Sequence, residues 1–171
     1  MLEGGLAAAT MEAIAARAGV SKATIYKWWP SRGAVALDGF LDRVQHSIAI
    51  PEGLSTVEAL RFQVDELIRL FRDTEIGAIM RAVASQAVSD PDLARAVRER
   101  WLGPRRAVAA DVIRQGIARG DLRPDLDSEA VMDQLYGPVY YRLIFGHGPL
   151  PPDLGATLVT QLLGGVAADQ R

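Results

Sequence analysis

Apolar residues recur three and four positions apart along nearly the whole chain, and the strict alternation of a strand is almost absent. The clearest run is Val57, Leu60, Val64, Leu67, Ile68 and Phe71, which falls on one face of a single helix. Ser55-Thr-Val-Glu58 is a capping box that opens this helix, and it runs to about Arg72. Similar punctuation marks out the rest. Thr10 caps a helix over 11–18 that ends at Gly19, where a left-handed residue is needed. Ser21 caps 22–29, which Pro30 stops, and Ser31 caps a helix over about 32–49 that ends before Pro51. Thr74 is expected to open a helix to about Val88, and Asp90-Pro91 another to about Leu102. Gly103-Pro104 then breaks the pattern, which resumes over 105–119 and stops at Gly120. After a loop of turn residues, Asp127 or Ser128 starts a helix to Phe145, kinked at Gly137-Pro138. Residues 146–152 form a second break, and 153–168 make the last helix. The expected fold is all-α, about nine helices with short connections.

The first two helices are short and joined by a tight turn. In 22–29, Ile25 and Trp29 share one face, and with Ile14, Ala18 and Val20 they can form a small core. Another face of the same helix carries Lys22 and Tyr26, with Ala23 and Lys27 beside them. Cations and hydroxyls suit phosphate oxygens, lysines also reach guanine acceptors, and an alanine lets a helix approach a groove floor closely. Ser21 and Thr24 stand at the N-terminal end, where hydroxyls can donate to a phosphate. Arg32 lies in the first turn of the next helix, where backbone amides also favour an anion. This is the pattern of a helix-turn-helix that sets one helix in a DNA major groove.

Charge sharpens that reading. The net charge of −2 argues against a generic nucleic-acid binder, but its distribution is uneven. Arg17, Lys22, Lys27 and Arg32 lie between Glu12 and Asp38 with no acidic residue among them, while 47–171 is acidic on balance. Both lysines of the chain fall in the second helix. Other chemistry is poorly supplied. Cysteine is absent and His46 and His147 are the only histidines, so a metal site is not expected. There is no nucleotide loop and no nucleophile elbow, so neither an enzyme nor a cofactor is expected. No apolar run approaches the ~18 residues of a membrane span, and the first residues lack a signal peptide's basic start, which implies a cytoplasmic protein.

The stretch Thr10–Ala34 closely resembles the DNA-binding region of tetracycline-repressor-like (TetR/AcrR) regulators. The matching residues are Ile14-Ala15, Ala18-Gly19-Val20-Ser21, Thr24-Ile25-Tyr26, Trp28-Trp29 and Ser31-Arg32. Trp29 stands where that family usually has Phe, and Arg32 where it has Lys. The resemblance implies that Thr24, Tyr26 and Arg32 contact phosphates, with Lys22, Ala23, Lys27 and Trp28 at the groove. It further implies a homodimeric repressor of a palindromic double-stranded operator, released by a small-molecule effector. A DNA-binding domain at 1–46 and an effector-binding and dimerisation domain at 47–171 follow.

Within the larger domain, Gly120–Asp125 and the later Leu135-Tyr-Gly-Pro-Val-Tyr-Tyr-Arg-Leu resemble one C-terminal subgroup of the family. Phe71, Ile76, Met80, Trp101, Tyr136 and Tyr140 are large residues on middle helices and mark a candidate pocket for an apolar or aromatic effector. The last helix carries Leu154, Leu158, Val159, Leu162, Leu163 and Val166, an apolar set that a second subunit would cover. A family member also has a first helix packed across the next ones. Met1-Leu2-Glu3 would supply only its last turn before Gly4-Gly5, which would thin the cover over Ile14, Ile25, Trp29 and Leu37. The alternative function is therefore a dimeric small-molecule-binding or scaffold protein that has lost DNA binding.

Overall fold

The computed structural model describes residues 10–44 and 49–166. Its helices are α1 (Met11–Ala18), α2 (Lys22–Trp28), α3 (Arg32–Val44), α4 (Thr56–Asp73), α5 (Ile76–Ala87), α6 (Pro91–Val97), α7 (Gly103–Arg119), α8 (Ser128–Phe145) and α9 (Leu154–Val166). The expectations for residues 1–9, 45–48 and 167–168 lie outside the described residues.

Most helix starts are the capped ones. Thr10, Ser21, Asp90 and Asp127 each accept a backbone N–H of the first turn, and both halves of the Ser55–Glu58 capping box form. Thr74 behaves differently from expectation. Its hydroxyl donates to the Leu70 carbonyl and so closes α4, while α5 begins at Ile76 behind Glu75 with no side-chain cap. Gly103-Pro104 does not break the chain either. A π-helical turn, Arg98–Leu102, joins α6 to α7, and proline takes the first turn of α7, where its missing N–H costs least. Pro138 lies inside α8, which stays helical on both sides of it.

The chain forms two compact units. The first contains 10–44 together with 75–101. Here α3 packs on α5 and α6, and Leu37, Phe40, Val83 and Trp101 are fully buried. Phe40 and Trp101 meet edge to face with ring centroids 4.3 Å apart. A linear division at 46/47 does not show this grouping, because the apolar face of α3 finds its cover thirty residues downstream.

The second unit contains 49–74 and 102–166. In it α4 packs against α7, α8 and α9. Leu60, Val64, Leu67, Ile68 and Phe71 are buried as the periodicity requires, but Val57 is exposed and Thr56 takes the inward place. The Thr56 hydroxyl donates to Asp121 at 2.6 Å and accepts from Arg119 at 2.7 Å, which ties the start of α4 to the end of α7. Its methyl lies 2.7 Å from where a Cβ on Gly116 would stand, so these helices approach as only glycine allows.

Candidate DNA-binding surface

The turn between α1 and α2 is built locally. Gly19 adopts φ +68°, its N–H bonds the Ala16 carbonyl, and the Val20 N–H bonds that of Ala15. This pair of bonds is the Schellman closure, which needs a left-handed residue at that point. Ser21 then caps α2, its Oγ accepting the Thr24 N–H at 3.1 Å and meeting the Thr24 hydroxyl at 2.8 Å. At the far end Trp29 is extended, as the residue before a proline must be, and Ser31 caps α3.

Only Ile25 of α2 is buried. It packs with Met11 and Ala15, and Ile14, Trp29 and Val35 close over them. Two expectations change here. Ala18 and Val20 are exposed rather than part of this core, and Met11 and Val35 take their places. Leu37 and Ile25 are buried, and Ile14 and Trp29 are half-buried.

With Ile25 turned inward, every residue singled out for DNA contact faces solvent. Ser21, Lys22, Ala23, Thr24, Tyr26, Lys27, Trp28 and Arg32 are all exposed, Trp28 by 68%. Lys22 Nζ stands 5.6 Å from the Tyr26 ring centre and Lys27 Nζ 5.9 Å from that of Trp28. The face therefore alternates cation and aromatic.

The charge pattern along the chain missed one partner. Glu12 of α1 pairs with Lys22 across the turn. The hydrogen bond from Lys22 holds the Glu12 carboxyl below the usual range, and Glu12 raises Lys22 in return. An acid at the border of the basic interval thus sits on its face. A second partner, Asp38 of α3, accepts from Trp29 Nε1 at 2.5 Å and faces Arg100 Nη1 at 2.5 Å. No local pattern signals either contact, because each joins separate helices.

The remaining candidates divide between the units. Ile76, Met80 and Trp101 are buried in the first. Phe71, Tyr136 and Tyr140 belong to the second, where Phe71 and Tyr140 meet edge to face at 5.5 Å. On α9, Leu154, Val159 and Leu162 are buried in their own unit, Leu158 and Leu163 are half-buried, and the side chain of Val166 lies outside the described residues. On α8, Tyr141, Ile144 and Phe145 are exposed. Among the described residues no three His, Asp or Glu side chains could hold a metal ion, and no helix is long and apolar enough to cross a membrane.

Residues 1–38 match the family model for bacterial regulatory proteins of the tetR family, and residues 50–162 match that of the tetracyclin repressor-like C-terminal domain. The chain belongs to the TetR family. A TetR-like relative, the uncharacterized HTH-type transcriptional regulator YdeS of Bacillus subtilis, is 36% identical over 168 residues, 98% of this chain and 84% of its own. The crystal structure of the TetR family transcription regulator SCO0332 shares the fold at a TM-score of 0.80 and 39% identity, covering 97% of this chain and 91% of that one. The regulator FadR from Bacillus subtilis in complex with stearoyl-CoA has the same fold at a TM-score of 0.72 and 18% identity, over 95% of this chain and 91% of its own. These TetR-family relatives are transcriptional regulators and not enzymes, and this chain carries the family's DNA-binding helix-turn-helix ahead of its C-terminal domain.

Proposed function

We propose that the protein is a homodimeric transcriptional repressor, acting in the cytoplasm, which leaves a palindromic operator when a small, mostly apolar effector binds. The observation that carries this reading is the exposed face of α2. Two lysines, two aromatics, a threonine and an alanine stand on one short helix pinned by Ile25 alone. Lys27 and Lys22 would reach phosphates or guanine acceptors, Thr24, Tyr26 and Arg32 would fix the helix on the backbone, and Trp28 would cover a sugar or base edge. Two such helices in a dimer would meet major grooves about 34–36 Å apart.

Residues 1–46 would hold the DNA-reading part, and 47–171 the effector and dimer functions. The exposed Tyr141, Ile144 and Phe145 support α8 as the core of the dimer contact, with Leu158 and Leu163 of α9 beside them. Phe71, Tyr136 and Tyr140 support the second unit as the place of the effector. Binding there would shift the spacing of the two recognition helices, with a coupling on the order of 1–3 kcal/mol.

The test begins by selecting an operator from random duplex DNA with the full chain. Lys27→Ala and Tyr26→Ala are then titrated against it. Both are expected to weaken binding, and Lys27→Ala to flatten the salt dependence by about one unit of log–log slope. Failure to select any site, or operator affinity unchanged in both variants, would leave the alternative of a scaffold without DNA binding.

A further inference from the structure

The cations of this chain are unevenly divided by type. Of its 19 Lys and Arg residues, all are arginine except Lys22 and Lys27, and both lysines lie on α2. Cysteine is absent. The difference is chemical. A guanidinium stays protonated and does not take up acyl groups, whereas a lysine amine that loses its proton does, and holds the group as an amide. The side-chain amines of the whole chain are therefore confined to the one short helix that carries the DNA-reading face.

The two amines are not equivalent. Lys22 Nζ is held by Glu12 across the turn, and that hydrogen bond raises its pKa, so it keeps its proton more firmly. An ammonium has no lone pair with which to attack a carbonyl. Lys27 makes no ion pair among the described residues. It is exposed, two positions on from the buried Ile25 and on the opposite side of the helix, with Nζ 5.9 Å from the centre of the Trp28 ring.

We propose that Lys27 is an acylation site, and that its modification by an activated acyl donor, a coenzyme A thioester or an acyl phosphate, releases the protein from DNA. The proposal rests on the DNA-binding reading given above and adds a covalent control at the reading helix itself, separate from the effector. In the step, the Lys27 nitrogen attacks the acyl carbonyl carbon. A C–N amide bond forms, and the C–S bond of the thioester or the C–O bond to the phosphate breaks. The thiolate or phosphate leaves, the amine proton passes to solvent, and nothing is oxidised or reduced. The product has lost a cation, and with it the charge offered to a phosphate or a guanine and the attraction to the Trp28 ring.

The test uses the full chain and an operator selected from random duplex DNA. The protein is treated in separate arms with acetyl phosphate and with acetyl coenzyme A, and a second preparation carries Lys27→acetyllysine from synthesis. Peptide mass spectrometry is expected to find Lys27 acetylated ahead of Lys22 in at least one arm, and the arm that reacts identifies the donor. Glu12→Gln should narrow that lead by releasing Lys22. Operator affinity of Lys27→acetyllysine is expected to fall about tenfold or more, with the log–log salt slope lower by about 0.9 for each modified lysine. Treatment should no longer change the affinity of Lys27→Arg, whatever affinity that variant starts from, while Lys22→Arg should remain sensitive. Lys22 acetylated first, Lys27 acetylated in neither arm, or Lys27→acetyllysine binding the operator as the unmodified chain does overturns this inference and leaves the DNA-binding reading standing. Failure to select any operator overturns both.

Discussion

The indole Nε1 of Trp29 donates a 2.5 Å hydrogen bond to Oδ2 of Asp38, across the corner between α2 and α3. Oδ1 of the same carboxylate forms an ion pair with Arg100 in the π-helical turn. One half-buried acid therefore ties the residue that ends the recognition helix to two other elements of its unit. The tryptophan stands where the family usually has phenylalanine, and phenylalanine has no proton to donate. Trp29→Phe is expected to keep the packing against Met11, Ala15 and Ile25 and to lose the bond, at about 1–2 kcal/mol. Thermal melting and operator titration should both register it. An unchanged midpoint would show that the bond does not hold the corner.

Glu12 pairs with Lys22, one of the two lysines proposed to reach DNA. Both groups are exposed, so the pair adds little to stability. On the proposed reading its consequence lies in binding, because Lys22 would have to leave Glu12 before it met a phosphate. Glu12→Gln is expected to tighten operator binding and to steepen the log–log salt slope by up to about 0.9, as one more cation displaces counterions. Fluorescence anisotropy between low and moderate salt measures both. Weaker binding by the variant would mean that Glu12 positions Lys22 rather than occupies it.

Gly155 of α9 lies so close to α4 that a Cβ there would fall on the carboxylate of Asp65, within 3.4 Å of its backbone nitrogen. Oδ1 of Asp65 is buried without a hydrogen-bond partner, while Oδ2 accepts from Arg61 at 3.2 Å. Gly155→Ala is expected to cost about 1–3 kcal/mol by overpacking. Asp65→Ala should restore much of that loss in the double variant. A double-mutant cycle in urea decides it, and strictly additive losses would place the strain elsewhere.

Ile144 sits with Tyr141 and Phe145 on the open face of α8, where Gly137 would meet nothing if it carried a Cβ. If this face is the dimer contact, Ile144→Glu should raise the dimer dissociation constant at least about thirtyfold and weaken operator binding with it. Sedimentation shows whether the variant becomes a monomer while its helical signal stays. A variant that stays dimeric would move the interface off α8.

Much of this molecule is legible along the chain. Thr10, Ser21, Ser55 with Glu58, Asp90-Pro91 and Asp127 start helices, and Gly19, Gly120 and Gly146 end them, because caps act within one turn of backbone. Lys22, Tyr26 and Lys27 on one helix are likewise a matter of spacing, and spacing with the Gly19–Ser21 turn is enough to read the motif. The structure departs from the pattern where a residue has two possible roles. Thr74 is a good cap in sequence, yet its hydroxyl is taken by the helix before it. Gly103-Pro104 is a good break, yet a π-helical turn absorbs it. Val57 fits the stripe of α4, yet Thr56 faces inward to meet Asp121, Arg119 and Gly116.

The sequence by itself determined where helices begin and end, and which short helix carries the reading chemistry, since both depend on neighbours within a few residues. Only the tertiary structure decided what those side chains meet. Glu12 on Lys22, Asp38 on Trp29 and Gln63 on Tyr136 join residues ten, nine and seventy-three positions apart. Such pairings depend on how helices pack, and periodicity reports only that a face is covered, not what covers it.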